Sequence, residues 1–518
     1  MRSGFGYLLR GTLLTALAVA ALVVAGCGGG GTGGSTGSDA KPKPGGSLRV
    51  ALGAEIHTLE PSQGIAQELF IVYQIVDTLF VPGENEEAEP WLVSKYEKSP
   101  DLREWTLHLR PGVKFSDGKP MTAADVVFSL ETVQKSEIWG NLFEEITSIT
   151  APDPETVVLK TKTPAPALPD TLTLFAAGVI PKDFGGVSEN EFAKHPIGTG
   201  PFELGAWDAG KSITLERNPH YWRPHRPYLD ELVFVPVAED TARVSQLKGG
   251  ELNVAWEPPW SQVQPLEGTP GLTIARHDDT LTTSLLLNDK NPLFKDKRAR
   301  EAVNLAINRE DITNASTSGQ GTPAGSWFPL FVRYAKDIEP PTPDLAKAKQ
   351  LLAEAVKATG QQPSIELTYN AGETIFANGS QIIQQNLEEA GFDVSLRPLE
   401  GGAFEELVFT GQYDAATIKV ITLMYDPIEF AAFYPGTSGL FTFSDTTKVN
   451  DLVVAAAQEV DPEKRQRLYY EIQELIAAEQ YVLPLSDLPN VYALDGGLTG
   501  FSVPGTGYVR YDEVAFTE

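Results

Sequence analysis

The chain has 518 residues, of which 42% are hydrophobic and 21% charged, and its formal net charge is −28. This length and composition predict a globular protein with two or more lobes and a large core. The acidic residues are spread along the chain, which argues against nucleic acid and anionic lipid as main partners, because both require basic patches.

The N-terminal residues are predicted to be an export signal. Residues 11–26 form an apolar run that is too short to cross a bilayer comfortably, so residues 1–26 are predicted to be a signal peptide. The run ends in Val-Ala-Gly-Cys, which resembles the bacterial lipobox, in which the cysteine is acylated and becomes the first mature residue. Cys27 is the only cysteine in the chain, and an incidental cysteine after a simple signal is the alternative. Residues 27–46, rich in Gly, Ser and Thr, predict a lipidated cysteine on a flexible tether.

Elements of the first half follow from periodicity and turn residues. Thr122 is a predicted N-cap, with Asp125 in a position typical of a capping box. Apolar residues at helical spacing predict helices, and alternating apolar residues predict strands. The predicted strands are 47–52, 91–100 and 104–110, and the predicted helices are 67–79, 123–134 and 296–308.

From about residue 288 onward, strands and helices alternate, which predicts a parallel-rich sheet with helices on both faces. Thr342 is a predicted N-cap with Pro343 in the first turn, and Gly360 and Gly391 are predicted helix stops. The predicted helices are 343–359, 373–390, 445–459 and 462–480, and the predicted strands are 364–370, 392–399, 413–420 and 481–485.

The predicted strand 413–420 is mostly apolar and β-branched, with no polar alternation, which suits a strand covered on both faces. Ligands of open α/β sheets bind beyond the carboxyl ends of such strands, so the residues that follow predict one wall of a ligand cleft. A packed core strand followed by a proline turn is the alternative. The residues of this predicted wall are Thr422, Leu423, Met424, Tyr425, Asp426, Phe430, Phe433 and Tyr434.

The sequence shows no strong pattern for catalysis or metal binding. It contains no H-E-x-x-H, and no pair of carboxylates stands out as a general acid and base. The six histidines are scattered, and His220 and His225 fit a surface loop better than a metal site. The prediction is therefore a protein that is not an enzyme and has no cofactor and no metal.

Three landmarks carry a family resemblance: residues 89–131, residues 196–228 with Pro-Ile-Gly-Thr-Gly-Pro-Phe, and residues 291–312. In this order they resemble the solute-binding protein family 5 of ABC transporters, the oligopeptide, dipeptide and nickel binding group. The resemblance runs from about Gly45 to the C-terminus. It implies an α/β, two-lobed periplasmic-binding-protein-like fold of type II, with mixed sheets flanked by helices, an extra subdomain and a hinge between the lobes.

The resemblance also implies how the pieces assemble. Lobe I would comprise residues 47–81, 198–281 and 485–518, with an extra subdomain at 82–197, and lobe II would comprise residues 282–484. Chain crossings near 282–287 and 483–489 would be hinge strands, and closure about them would trap a ligand between the lobes. By this architecture, several aromatic residues approach the cleft: Trp256, Trp260, Trp327, Phe328, Tyr369 and Tyr425.

The function implied is that of a solute-binding lipoprotein of an ABC importer, which captures a peptide or peptide-like solute and delivers it to the membrane permease. Its partners would be the solute, the permease and ATPase subunits and, through the lipid anchor, the membrane; no nucleic acid is expected, and the protein would be a monomer. The alternatives are a surface-anchored hydrolase, or a binding protein of the same fold for a sugar, for a metal chelate or for signalling.

The chain departs from the peptide-binding members at two positions. Those members place an Asp three residues before an acidic-Pro pair, where it holds the peptide's α-amino group; here Asp426-Pro427 matches the pair, but Leu423 stands at the amine-binding position. The Arg that grips the peptide carboxylate is also unmatched, since residues 364–396 contain neither Arg nor Lys. A buried charge without a partner is costly, so we expect a ligand that is not held as a free-terminus peptide.

Overall fold

The computed structural model describes residues 41–64, 68–83, 87–429 and 447–518. The predicted signal peptide, Cys27 and most of the tether lie outside the described residues, as do Phe430, Phe433 and Tyr434. Within the described ranges, no helix has both the length and the apolar character needed to cross a membrane.

The strands are numbered in chain order and their bounds follow. They are β1 (Pro42–Lys43), β2 (Ser47–Leu52), β3 (Phe80–Pro82), β4 (Ala88–Pro90), β5 (Val93–Lys98), β6 (Glu104–Leu109), β7 (Ile146–Asp153), β8 (Thr156–Thr161), β9 (Phe202–Asp208), β10 (Ser212–Arg217), β11 (Glu231–Pro236), β12 (Val254–Trp256), β13 (Leu272–Leu287), β14 (Thr322–Pro323), β15 (Ser364–Asn370), β16 (Asp393–Leu399), β17 (Ala415–Ile421), β18 (Val482–Asp495), β19 (Leu498–Thr499) and β20 (Ala515–Thr517).

The α-helices are numbered in the same way. They are α1 (Glu68–Ile75), α2 (Ala123–Val133), α3 (Leu168–Thr171), α4 (Glu189–Phe192), α5 (Asp240–Lys248), α6 (Trp260–Glu267), α7 (Lys297–Ala306), α8 (Arg309–Thr317), α9 (Leu345–Thr359), α10 (Thr374–Ala390), α11 (Gly401–Phe409), α12 (Thr447–Gln458) and α13 (Pro462–Glu479). Short 3₁₀ turns lie at Gly140–Leu142, Phe175–Ala177, Lys182–Gly186 and Pro292–Lys295.

One long sheet organises the fold, with the strand order β16-β15-β17-β13-β18-β12-β2-β11-β10-β9 and β14 paired to β18. The strands β15, β16 and β17 pair in parallel, as do β2, β11 and β12, but β13 and β18 run antiparallel to every strand they pair with. The predicted parallel-rich sheet is therefore a mixed one. We call the β9–β12 side of this sheet lobe I and the β15–β17 side lobe II, and the predicted lobe bounds stay a prediction.

The two long strands β13 and β18 belong to both lobes, since their ladder runs from Leu272–Asp495 to Leu286–Val482. The predicted strand 481–485 is thus much too short. The strand contains Pro484 and Pro489, and the ladder shifts register beside each of them. A proline has no N–H to donate, and such irregular positions are where a sheet tolerates it.

A separate four-stranded antiparallel sheet, β5-β6-β8-β7, carries α2 and forms the extra subdomain within residues 82–197. The helix α2 confirms its prediction, and the Asp125 carboxylate accepts hydrogen bonds from the Thr122 backbone N–H at 2.7 Å and hydroxyl at 2.8 Å. One hydrophobic core joins this sheet to lobe I, and two further cores lie within lobe II.

Two helix ends differ from prediction. The helix α9 begins at Leu345, where the Asp344 side chain accepts a hydrogen bond from the Lys347 N–H, so Thr342 is not its cap. The helix α1 ends at Ile75 because the Ile75 carbonyl accepts from the N–H of Gly200, 2.8 Å away, in the turn that begins lobe I again. A long-range contact ends this helix, which local periodicity does not show.

Candidate functional site

A cavity of about 520 Å³ lies between the lobes, and its size is that of a small-molecule site. It opens at the carboxyl ends of β15 and β17, where open α/β sheets place their ligands. From lobe I it is lined by Gly53, Ala54, Ala238, Glu239, Asp240, Arg243 and residues 256–260. From lobe II it is lined by Asn370, residues 372–376, Glu400, Gly401, Phe404, Glu405, Val408, Phe409, Ile418, Lys419 and Ile421.

The floor of the cavity is an ion-pair cluster that joins the two lobes. The Lys419 ammonium on β17 lies 2.7 and 2.8 Å from the two carboxylate oxygens of Glu257 in lobe I, and 2.9 Å from Glu373 in lobe II. The Lys419 side chain is only 12% exposed. Burial alone would lower the pKa of Lys419, but the two carboxylates outweigh it and hold the pKa above its ordinary value.

The loop that presents Glu257 is tied down by Arg243. Glu257 follows β12 with a φ of 45°, a conformation that a residue with a side chain rarely adopts. The Arg243 guanidinium donates to the carbonyls of Trp256 and Glu257, both at 3.1 Å, and to those of Val237 and Ala238, both at 2.9 Å. Burial lowers the pKa of Arg243. This cation therefore holds backbone in place at the edge of the cavity.

Aromatic side chains line the walls above this floor. Trp256 is held by a hydrogen bond from its Nε1 to Asn490 at 2.9 Å and lies 5.8 Å from the Lys419 ammonium, measured to the ring centre. Trp260, half-buried, begins α6 directly after Pro258 and Pro259. The remaining aromatic lining residues are Phe376, Phe404 and Phe409.

A second ionic contact joins lobe II to the extra subdomain. Arg333 donates to both oxygens of Asp170 in the extra subdomain at 3.2 Å and lies 3.7 Å from Asp426. Asp426 is fully buried and also accepts from Arg465 at 2.9 Å and from the Tyr469 hydroxyl at 3.2 Å. Burial and the nearby Asp426 carboxylate raise the pKa of Asp170 to about 6, against the opposing effect of Arg333.

The predicted site residues are placed in three groups. Trp256 and Trp260 line the cavity. Four residues after β17 pack at the lobe boundary: Thr422 donates to the Thr280 carbonyl, Leu423 packs on the lobe I core, Tyr425 donates to the Gly83 carbonyl, and Asp426 forms the ion pairs above. Their ligand role stays a prediction.

The other predicted aromatics are core residues. Trp327 and Phe328 are 1% and 0% exposed in a lobe II core beside α13, where Phe328 packs against Tyr469. Tyr369 is 9% exposed and belongs to a small cluster with Ile375, Phe376 and Leu488, so only its neighbour Asn370 reaches the cavity. We leave these three residues out of the proposed site because packing in the protein core accounts for their positions.

Sequence reasoning missed the charged residues of the cavity floor. Lys419 had a signal, since it is the one charged residue in the otherwise apolar and uncharged strand 415–421, and a buried strand holds a cation only when partners neutralise it. Its partners, Glu257 and Glu373, lie far apart in the sequence and gave no such signal. Among the described residues, no group of three or more His, Cys, Asp or Glu side chains is arranged to hold a metal ion.

Known proteins share this sequence and architecture. Residues 87–440, more than half of the chain, match the family described as bacterial extracellular solute-binding proteins, family 5 Middle. The glutathione-binding protein GsiB of Escherichia coli (strain K12) is 27% identical over 481 residues, covering 89% of this chain and 92% of that protein.

Two solved structures superpose closely. The periplasmic binding protein DppA from Helicobacter pylori, in complex with the peptide STSA, has a TM-score of 0.83 and 26% identity, over 92% of this chain and 99% of that one. The binding protein AgaA from A. tumefaciens R10, in complex with agropinic acid, has a TM-score of 0.82 and 26% identity, over 91% and 99%. The chain therefore belongs to the family 5 extracellular solute-binding proteins of ABC importers and has their two-lobed α/β fold.

Proposed function

We propose that the protein captures a small solute in the cavity between its lobes and delivers it to the membrane permease of an ABC importer. The single observation that carries this proposal is the cavity of about 520 Å³ whose wall is built from both lobes and whose floor is the Lys419–Glu257 pair across them. Such a cavity is complete only when the lobes are closed, so solute binding favours closure. The chemistry is reversible binding with no covalent step.

The proteins compared above support a small solute rather than a macromolecule. Their names and complexes specify glutathione, the peptide STSA and agropinic acid. By family the solute is a peptide or a peptide-like compound, and the Leu423 substitution supports one that is not held by a free amino terminus.

The protein is further proposed to act from the outer face of a membrane, as a monomer held by a lipid on Cys27. The lipobox-like residues before Cys27 and the Gly-rich segment after it support this anchor. An intact mass of the membrane-extracted protein should show the signal peptide removed and lipid added at Cys27. An unmodified Cys27 would contradict the anchor.

Native mass spectrometry of the full-length protein, purified in detergent without denaturation, tests solute capture. We expect one additional small-molecule mass that is lost when the protein is unfolded. A ladder of peptide masses would contradict the prediction about the free terminus. Turnover of peptides by the purified protein, with no retained solute, would support the hydrolase alternative instead.

A further inference from the structure

The two cations that line the cavity are already held by acceptors of the protein. An ammonium has three N–H donors, and those of Lys419 have three acceptors, the two oxygens of Glu257 and one of Glu373. Arg243 directs four hydrogen bonds at backbone carbonyls. Among the described lining residues, no other Lys, Arg or His is present. A ligand carboxylate would therefore meet no cation that is free of protein partners, and Arg243 would have one of its five N–H donors left for it.

The internal stretches outside the described ranges do not change this balance of charge. Residues 65–67, 84–86 and 430–446 contain no Lys, Arg or His in their sequence. No cation for the ligand can come from these residues of the chain.

The lining carboxylates outnumber the cations, and several are not engaged. Six carboxylates, including Glu257 and Glu373, line the cavity against two cations, which gives a net charge of −4. Within the described part of the chain, the side chains of Glu239, Glu400 and Glu405 accept no hydrogen bond. Burial, and to a smaller extent the charges of Glu68 and Glu373, raises the pKa of Glu405.

The aromatic walls, like the carboxylates, suit a cationic ligand. Trp260, Phe376, Phe404 and Phe409 line the cavity with the carboxylates, and Phe409 is 41% exposed. Aromatic faces attract ammonium and guanidinium groups and offer nothing to a carboxylate. A cation bound here would be stabilised by both kinds of side chain.

We propose that the cavity selects a solute that carries an ammonium or guanidinium group and rejects anionic solutes. This inference rests on the proposed function and specifies its ligand. Glu400 and Glu405 on the lobe II wall are the proposed specificity residues, since the floor carboxylates are committed to Lys419. An anion would face a net negative wall, which repels like charge.

The test is a titration of the full-length protein with three capped tripeptides, acetyl-Ala-Lys-Ala-amide and its Gln and Glu counterparts, by isothermal calorimetry. We expect the Lys peptide to bind about tenfold more tightly than the Gln peptide, a difference of about 1.4 kcal/mol in binding free energy. We expect the Glu peptide not to bind. Equal affinities, or a preference for Gln or Glu, would overturn the charge inference and leave solute capture intact.

Variants separate the wall charges from the fold. Replacing Glu400 and Glu405 together by Gln should lower the preference for the Lys peptide about tenfold. The matched control is Glu388→Gln, an exposed residue about 21 Å along α10 from Thr374, which should leave the preference unchanged. An unchanged preference in the double variant would also overturn the inference. Binding of none of the three peptides would overturn it too, and would weaken the proposed function only if native mass spectrometry also found no solute.

Discussion

Lys419 is a buried cation whose neutralisation depends on both lobes. Its ammonium is shared between Glu257 and Glu373, and neither carboxylate has another cation in contact among the described residues. Taking an ammonium out of water is costly unless such partners are present. The contribution of Lys419 to the stability of the fold therefore depends on the two lobes being close together.

Replacing Lys419 by Met should lower the free energy of unfolding by about 3–5 kcal/mol, because two partly buried carboxylates then face each other without a counter-charge. Urea unfolding at neutral pH measures this change in the free energy of unfolding. Lys349→Met, on the exposed face of α9, is the matched control and should change stability by less than about 0.5 kcal/mol. Similar losses in the two variants would show that the ion-pair cluster contributes nothing.

The pKa of about 6 at Asp170 predicts a pH dependence of stability. The group faces Asp426, Arg333 and Arg465, and its folded pKa lies above the unfolded value of about 3.9. The folded state therefore binds more protons between about pH 4 and 6, so this group adds stability as the pH falls through that window.

The variant Asp170→Asn should lose this contribution. The free energy of unfolding of the wild type, relative to that of the variant, should therefore increase from pH 7 to pH 5. Urea unfolding at pH 7, 6 and 5 measures the shift. Asp451→Asn, on the exposed surface of α12, controls for the change of residue type. A difference that does not vary with pH would be the contrary result.

At the scale of elements, the turn at residues 196–202, where the chain returns to lobe I, makes close backbone contacts with the end of α1. A Cβ at Gly198 would lie 2.0 Å from the Ile75 carbonyl oxygen, and one at Gly200 would lie 2.6 Å from the Gln74 carbonyl oxygen. Both clashes are with backbone, which cannot move aside as a side chain can. The end of α1 and the turn at residues 196–202 thus fit each other only with glycine at these positions.

The variant Gly198→Ala should lower the free energy of unfolding by about 3 kcal/mol because the methyl group has no space. Gly402→Ala in α11 is the opposite case, since nothing lies within 4 Å of its added Cβ. That control should be neutral or raise stability by up to about 1 kcal/mol through helix propensity. Thermal unfolding of the two variants checks the sign of each, and an equal effect would argue against the steric account.

Elements with local signals could be predicted, and those set by distant partners could not. The helices α2 and α10 follow from caps and apolar spacing within their own residues. The length of β18 depends on its ladder with β13, some 200 residues away, whose register shifts accommodate Pro484 and Pro489. Sequence periodicity contains no information about that partner.

The same division holds for the candidate site. Trp256 and Trp260 were predicted to approach the cleft, and the structure places both tryptophans on the cavity wall. Trp327 and Phe328 have the same chemistry, but packing against α13 buries them, and residue type alone does not distinguish the two situations. The charged residues of the cavity floor come from three separate segments of the chain. Only Lys419 could have been recognised from the sequence around it.

At the scale of the whole molecule, the strands β13 and β18 join the lobes, and the described residues add two ionic contacts between them, one at Lys419 and one at Arg333. Removing Arg333 would remove the cation that joins Asp170 to Asp426 across the lobe boundary, although Arg465 would still pair with Asp426. Arg333→Leu should therefore open the lobes and increase the radius of gyration in small-angle X-ray scattering. Apparent solute affinity should fall with it, since only the closed fraction binds.

The matched control for this prediction is Arg467→Leu on the exposed face of α13, whose guanidinium lies 4.0 Å from Glu463. It should leave both the radius of gyration and the affinity unchanged. A scattering curve of Arg333→Leu identical to that of wild type would show that the contact with Asp170 does not hold the lobes together.

The short strand β1 has a consequence for the chain as a whole. Pro42 pairs with Thr517 and Lys43 with Phe516, so the first and last strands of the described body lie side by side. With the residues before Pro42 removed, a short linker from Thr517 to Pro42 would close the body into a ring without disturbing the long sheet. New ends could then be opened at an exposed turn such as Gly249-Gly250. The fold thus depends on which strands are neighbours in space, and a circular permutant that starts in lobe I at residue 250 is expected to reach the same structure.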